Sequence, residues 1–533
     1  MTMPMIRRGV FLLLTIVLAA GPVSAVDTMA QAARPLSQAT PARPSGSGQK
    51  PTGPAVALSM QQAVDLALEA NLGLKADRIA PAISAQDVAR AKSLFIPTVS
   101  SGIQRNTRDQ IPSSFFESSS SVVSSSSLGV SASVAQLLPR YGGSYNLSWS
   151  GGRSETNATS TFNPQTSSTF NVNLTQPLLR NFKTDSARTS LETTARQQQI
   201  TDTNLLEQIA QTERSTRLAY LSLIVAIQNR GVAQQNLDVA NASLRNTRAR
   251  VEVGVTAPAD IVDAEASVAA NEEALIVAES SIESRMDQLR QLIFDPTRAD
   301  YWAVRINPTD TVGVEPRTIN VDDAVKKALD QRTDLINARK SLEIQNINID
   351  LLHNTTLPAV DLKLSYSGSG LAGTQNVYAS TFPPVILSQT SRGFGSAIGD
   401  SFNNSYPSWT YGLQVSYPIG KSDTEASLTR AQLQKQQGEL QLRDLELQIA
   451  TQVRDAARQV ETNFKRVQAS RASLQAQEKR LEAEQKRFDV GTSDTFKLFQ
   501  VQRDVAAARV SELQSMLAYS QALINFDAVQ RIR

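Results

Sequence analysis

Two phrases set the architecture of this chain: Phe95-Ile96-Pro97-Thr98-Val99 and Thr356-Leu357-Pro358-Ala359-Val360. In each, a helical stretch meets a proline and passes into an extended run. Proline withholds a backbone donor, and the residue before it avoids the α region, so both phrases read as helix-to-strand breaks. Pro97 and Pro358 lie 261 residues apart. So do Ala63 and Ala324, which open the helical phrases Ala63-Val64-Asp65-Leu66-Ala67-Leu68 and Ala324-Val325-Lys326-Lys327-Ala328-Leu329. Further on, Val251-Glu252-Val253-Gly254 matches Phe488-Asp489-Val490-Gly491 at an offset of 237. The shortfall of 24 falls mostly in a strand-rich insertion, from Pro97 to Pro177 in one copy and from Pro358 to Pro418 in the other. The chain carries one unit twice, which restricts it to architectures with two equivalent segments.

The N-terminus reads as a secretory signal over residues 1–25. Arg7 and Arg8 precede an apolar run from Gly9 to Ala20, and Val23-Ser24-Ala25 is a small-residue cleavage site. Residues 26–55, rich in Pro, Ser, Gln and Ala, read as a disordered lead-in. The first repeat is then 56–316 and the second 317–533. The chain has no cysteine. Disulfides are therefore excluded, and no Cys is available for a lipid anchor, so the expectation is a protein that is not lipidated. Beyond the signal there is no apolar run of the roughly 18 residues that a spanning helix needs. Membrane contact by the mature chain has to be through β-strands or an amphipathic surface. Charged residues make up 19% of the chain and the formal net charge is +3, without a dense Lys/Arg block. Nucleic-acid binding lacks its electrostatic footprint.

Each half begins with two short helices, near 59–71 and 74–95, then 320–331 and 333–354. Strands follow. In the second half Val360, Leu362, Leu364 and Tyr366 alternate with Asp361, Lys363 and Ser365, and Trp409, Tyr411, Leu413, Val415 and Tyr417 alternate with Thr410, Gly412, Gln414 and Ser416. The first half has runs near 98–106, 129–136, 143–150 and 169–177. Alternation of this kind fits a half-buried soluble sheet, and equally a transmembrane barrel with lipid outside and water inside. The stretches Ser113–Ser127 and Gly368–Ser405 read as exposed loops.

After each β segment comes a very long helix, from about Asp185 to Glu252 and from about Ser422 to Arg487. At 1.5 Å per residue these reach about 100 Å. Val453, Val460, Val467, Leu474, Leu481 and Phe488 form a seven-residue series, and Ile209, Thr216, Leu223, Arg230, Leu237, Leu244 and Val251 repeat it at the 237 offset. A strict heptad implies left-handed supercoiling against a neighbour. The second core-type positions hold Asn463, Ser470, Gln477 and Glu484, so only one seam is dry. Each long helix ends in a Gly turn, and a shorter helix returns over about 258–294 and 494–530. An early helix of the same half is expected to stack on the end of each return helix.

This layout resembles the TolC-like outer-membrane efflux protein family over nearly all of residues 58–533. The most specific phrases are the paired hairpin tips, Arg250 to Ile261 and Arg487 to Leu498, and the Gln176-Pro177-Leu178-Leu179 phrase where strand re-enters helix. The resemblance implies an α+β membrane protein: a homotrimer whose subunits give four strands each to a twelve-stranded outer-membrane β-barrel, continued by a long periplasmic α-helical barrel. Only two first-half strands are expected to cross the membrane, with the rest extending beyond it. It also implies that Val253, Gly254, Val255, Thr256, Val490, Gly491, Thr492 and Ser493 dock onto a periplasmic adaptor (membrane-fusion) protein coupled to an inner-membrane transporter. The pore constriction it implies involves Asp260, Asp263, Phe488, Asp494, Lys497 and Gln500. Here the sequence departs from the family: Lys497 and Gln500 stand where acidic rings are usual. Phe488 and Ser493 replace the aromatic hydroxyl and arginine of the family's polar lock. Asp260 is therefore expected to pair with Lys497 or another base, or to remain solvated.

No catalytic constellation supports an enzyme. His353 is the single histidine, at a helix end, and no His/Cys cluster supports a metal site. Asp260 and Asp263 lie one helical turn apart on a hairpin tip without a pocket. No cofactor is expected. The sequence-level expectation is a passive exit duct in the cell outer membrane, in contact with its lipid and extended into the periplasm; the alternative is a periplasmic coiled-coil adaptor or structural tether without a channel. The cargo, whether drug, polypeptide or metal, is not written in these residues.

Overall fold

A computed structural model describes residues 55–112, 121–311, 313–380, 385–417, 419 and 423–530. The signal and nearly all of the lead-in lie outside the described residues, as do positions 113–120 of the first expected loop. Along the first half run β1 (Ala55–Leu58), α1 (Met60–Ala70), α2 (Leu72–Asp77), α3 (Ala80–Ser93), β2 (Thr98–Gln110), β3 (Val123–Leu137), β4 (Ser144–Thr156), β5 (Phe162–Pro177), α4 (Ser186–Glu252), α5 (Ala259–Ile293) and β6 (Arg305–Pro308). The second half holds α6 (Val321–Gln331), α7 (Thr333–Thr355), β7 (Ala359–Tyr378), β8 (Ile386–Arg392), α8 (Phe394–Phe402), β9 (Pro407–Ser416), α9 (Asp423–Asp489) and α10 (Thr495–Gln530). The two long helices are equal in length, at 67 residues each.

The early helix expected over 74–95 is two helices. Pro81, at the start of α3, has no N–H to carry a continuous ladder across the junction. α2 lies against the end of α5: Asn71 Nδ2 donates to Leu292 O at 3.3 Å, and Lys75 pairs with Asp295 at 3.2 Å.

One antiparallel sheet runs β2-β3-β4-β5-β7, with β9 and β8 sharing the far edge of β7. β9 pairs with the helix-proximal end, Ala359 to Gly368, and β8 with the distal end, Gly373 to Tyr378. Six strands therefore stand side by side at either level. The four first-half runs are all strands, longer than read, and hydrogen-bonded along their full length. None extends beyond the others, because β3 and β4 turn back at the level where β5 ends.

Register sorts the side chains cleanly. Val99, Val134, Leu147, Val172, Tyr366 and Trp409 lie in one hydrogen-bonded row and share a face. Ser100, Ser133, Ser148, Asn171, Ser367 and Ser408 form the next row, on the opposite face. One face is thus apolar and aromatic, the other hydroxyl- and amide-lined.

The Gly368–Ser405 stretch is more ordered than expected. It contains the distal part of β7, the strand β8 and the helix α8. α8 lies on the apolar face, where Ser401 Oγ meets Ser168 Oγ at 2.9 Å and Phe402 meets Phe170 with ring centroids 5.0 Å apart. Glycine permits this approach: a Cβ at Gly370 would stand 1.9 Å from Ala397 O. Residues 123–127 of the other expected loop begin β3.

Midway along the two long helices the described core is divided between two clusters. One cluster gathers Tyr220, Leu223, Leu289, Ile293 and Ile306; a second gathers Leu335, Ile449, Val453, Val460 and Tyr519. The parallel pair β1–β6 closes the first, and the buried Tyr220 hydroxyl donates to Leu58 O at 2.7 Å. The heptad series holds: Val453, Val460, Val467 and Phe488 are buried, and Thr216 and Leu223 are buried on α4. No described helix is long and apolar enough to cross a membrane.

Gly370→Val should lift α8 off the sheet, at an overpacking cost of about 1–3 kcal/mol. Limited proteolysis should then cut within 385–405 while the strands persist by circular dichroism. Unchanged cleavage would mean that α8 is not held by this contact.

Candidate functional site at the helical hairpin tips

Both long helices end in the same hydrogen-bonded turn. On the first, Gly254 N donates to Val251 O at 2.9 Å and Val255 N to Arg250 O at 2.8 Å. On the second, Gly491 N donates to Phe488 O at 3.1 Å and Thr492 N to Arg487 O at 2.9 Å. These are the paired bonds of a Schellman cap, which needs a left-handed residue just past the helix end. Gly254 and Gly491 supply it, with φ of 75° and 77°. A Cβ at either position would meet nothing within 4 Å, so the demand for glycine is conformational rather than steric.

The return helices start differently. Asp260 lies in the first turn of α5, where an acid suits the helix dipole, and no ion pair reaches it among the described residues. In the second tip Asp494 caps α10, accepting from Lys497 N at 2.7 Å. Val253, Val255 and Val490 are exposed at 74%, 61% and 75%, so the extremity of each hairpin is small and apolar. Thr256 and Ser493 are half-buried, and Thr492, Asp263, Lys497 and Gln500 are exposed.

Two contacts tie this end together. Arg250, from the first tip, lays its guanidinium 4.3 Å from the centroid of the Phe488 ring and donates to Phe488 O at 3.3 Å. Phe488 is buried beneath it. Within the second tip, Glu484 is also buried. It accepts from the Ser493 hydroxyl and faces Arg487 at 3.4 Å and Lys497 at 3.8 Å. The Ser493 hydroxyl holds the Glu484 carboxyl below the usual carboxylate range. Burial opposes that shift, and the Lys497 and Arg487 charges reinforce it.

The expected Asp260–Lys497 pair does not form, because Lys497 is engaged by Glu484 of its own hairpin. Asp260 instead takes the other course considered for it and stays unpaired. Glu484 and Arg250 are the members that sequence reasoning passed over. Glu484 had a visible signal, the single carboxylate in the seam series Asn463, Ser470, Gln477 and Glu484, and Arg250 stood in the tip phrase itself. Among the described residues no group of His, Cys, Asp and Glu is arranged to hold a metal ion.

Comparison with known proteins bears on what such a molecule is. The profile of the family described as "Outer membrane efflux protein" matches residues 123–293 and 324–529. The chain is 27% identical over 152 residues to the Outer membrane protein TolC of Vibrio cholerae serotype O1. That match covers 28% of this chain and about a third, 33%, of that relative's length. Among solved structures, the Campylobacter jejuni CmeC outer membrane channel superimposes with a TM-score of 0.64 at 14% identity, covering 88% of this chain and 85% of that one. A membrane protein from Pseudomonas aeruginosa gives 0.63 at 15% identity, covering 88% and 92%. The open state of the Neisseria gonorrhoeae MtrE outer membrane channel gives 0.59 at 17% identity, covering 89% of each. At these identities the likeness is one of fold.

A group whose folded pKa is depressed stabilises above its unfolded pKa, and the contribution is lost as pH falls through the folded value. The Glu484 contacts should therefore persist at pH 5 and be lost only below the ordinary Glu range near about 4.3. Hydrogen exchange at the amides of 491–497 should be slow at pH 5 in the wild type and markedly faster in Glu484→Gln. Equal exchange in the two proteins would show that the carboxylate does not hold the tip.

Proposed function

This chain belongs to the outer membrane efflux protein family, and we propose that it is the passive outer-membrane duct of a tripartite efflux or type I secretion assembly. One observation carries the reading. The sheet offers a broad apolar face with Trp409, Tyr411, Leu413 and Val415 exposed at 60% or more, backed by a face of hydroxyls and amides. Water on both sides would leave that apolar band unexplained. Lipid on one side and a water-filled lumen on the other accounts for both faces. A periplasmic tether, the alternative, has no use for such a sheet.

Strands this short of closing a barrel leave open edges, which are not tolerated in hydrocarbon, so the reading requires a homotrimer. The helices then extend into the periplasm and carry the tips toward the inner membrane. There the exposed small side chains at Val253–Thr256 and Val490–Ser493 would receive an adaptor, itself engaged with an inner-membrane transporter. Asp260, Asp263 and Asp494, each repeated three times around the axis, would favour cations at the narrow mouth. Lys497 would contribute little opposing charge while Glu484 engages it, and Gln500 would line the same constriction. Phe488 would act from beneath, through Arg250. Chemistry is absent from this scheme: the duct is not an enzyme, and energy comes from the pump. Conductance of the purified protein in a planar bilayer tests the reading. A protein that never conducts, and that washes from membranes in high salt, is not a duct.

Cysteine scanning is clean in a chain without native thiols. Cysteines at 409, 411, 413 and 415 should resist water-soluble thiol reagents, and those at 410, 414 and 416 should react. Uniform reactivity would place the sheet in water.

Gly491→Trp should leave outer-membrane trimers intact and abolish export, while Gly491→Asn, which accepts the left-handed conformation, should retain most of it. Normal export from the Trp variant would remove the tip from the docking surface.

A further inference from the structure

One concave site lies apart from the sheet and from the tips. Where the two halves of the chain meet, α4 of the first half and α6 and α10 of the second border a cavity of about 600 Å³. Small-ligand sites have volumes of about 300–1,000 Å³. Arg214 and Arg217 of α4, Arg317 ahead of α6, Lys327 within α6 and Arg332 just past its end all line this space. Cations from both halves thus converge on one volume.

Ion pairing within the chain accounts for some of them and not for others. Arg217 pairs with Glu213, Arg317 with Asp527 at 2.8 Å, and Arg332 with Asp334 at 2.7 Å. Arg214 and Lys327 are left over. Arg214 Nε donates to Asn525 Oδ1 at 3.0 Å, and among the described residues no carboxylate pairs with it. Lys327 is half-buried, and among the described residues its ammonium has neither a hydrogen bond nor an ion pair. A lysine drawn out of water ordinarily has a counter-charge. Of the carboxylates lining the cavity, only Glu207 lacks a cation among the described residues; it accepts from the Thr333 hydroxyl at 3.3 Å.

Packing does not explain this arrangement. A cation kept for structure joins its own element to a neighbour, and Lys327 joins nothing. The two unmatched cations stand on different elements, α4 and α6, so a singly charged group that satisfies one leaves the other. An oxyanion with two or more charges can satisfy both. Further donors line the same space. Arg317 engages Asp527 through Nη1 alone, and its remaining N–H groups are suited to a carboxylate or phosphate edge.

We propose that this cavity binds a small oxyanion carrying two or more negative charges, a polyphosphate or a polycarboxylate, recognised by Lys327 and Arg214 with Arg317 as a further donor. The site does not depend on the channel reading, since it would serve a duct and a tether alike. A ligand held between α4 and α6 ties the first half to the second, so occupancy stiffens the joint between the repeats. Anything that binds the folded state alone also stabilises it by mass action. Glu207 works against the ligand: its carboxylate lines the same cavity and repels an anion.

The probes are inorganic pyrophosphate and citrate, titrated calorimetrically at low salt into the purified full-length protein in detergent, with acetate as the monovalent control. At least one of the two polyvalent probes should bind at one site per subunit and raise Tm, and acetate should do neither. Binding of pyrophosphate alone or of citrate alone supports the site and names the class of its ligand. Lys327→Gln removes no contact of the folded chain and should weaken binding about tenfold, the effect of losing one charged hydrogen bond. Arg214→Gln should weaken it similarly. Lys326→Gln, at an exposed lysine outside the cavity, should leave it unchanged. Glu207→Gln keeps an acceptor for Thr333 and should tighten it. The proposal is overturned by an absence of saturable binding of either probe, or by binding that Lys327→Gln does not weaken. Equal weakening by Lys326→Gln and Lys327→Gln would show a diffuse surface attraction and overturn it as well, as would weaker binding in Glu207→Gln.

Discussion

Backbone groups in a strand must be paired, and this requirement organises the molecule. Along β3, β4, β5 and β7 each strand has neighbours on both sides, while β2 and β9 each leave one edge bare. In water such edges invite non-specific pairing, and in hydrocarbon they are prohibitive. The sheet thus cannot be a finished structure by itself. The same incompleteness runs through the helices. One seam per long helix is dry, and the second holds Asn463, Ser470 and Gln477 at half-buried positions. A single chain of this kind covers only part of its own surface, and the remainder is left for neighbours.

The duplication is unequal in an informative way. Both halves contribute a pair of strands next to their prolines: β2 and β5 in one, β7 and β9 in the other. The first half adds the β3–β4 hairpin between its pair; the second adds β8 and α8 at the distal end. The first insertion adds to the width of the sheet and the second covers its apolar face. Each insertion begins and ends where the original strands begin and end, so the helices below are undisturbed and both long helices keep 67 residues.

What the sequence disclosed follows from how local each signal is. Heptad spacing and strand alternation are properties of a few consecutive residues, so the seam at Val453, Val460 and Val467 and the faces of β7 and β9 were legible. The glycine turns were legible for the same reason, since a positive φ at a helix end has few solutions. Level was not: nothing within residues 129–150 states that β3 and β4 stand beside β5, because that depends on pairing with segments elsewhere. α8 was hidden because nine residues containing two glycines and two serines after the initial Phe have little helical character, and a sheet surface stripped to Gly368 and Gly370 holds them in place. At the tips the composition was visible but not the pairing. A charge map placed Asp260 opposite Lys497; packing placed the buried Glu484 nearer.

That last substitution changes the physics of the tip. A polar lock between hairpins would be screened by salt and exposed to competition from water. Here the contact between the hairpins is a guanidinium on an aromatic face, with one hydrogen bond to the backbone beneath it. Such a contact is worth about 0.5–2 kcal/mol depending on desolvation, and the ring of Phe488 is already buried. The ionic contacts of Glu484 stay within one hairpin, where they stiffen the turn instead of joining it to its neighbour. The division of labour is clear: Glu484 shapes the second tip, and Arg250 couples it to the first. Parting the two tips alone would break this one cation–π contact and one hydrogen bond without leaving a carboxylate unpaired, while α10 stays joined to α4 farther along, where Arg509 donates to Gln235 Oε1 at 2.9 Å; the local barrier is therefore small and nearly independent of the protonation of nearby acids.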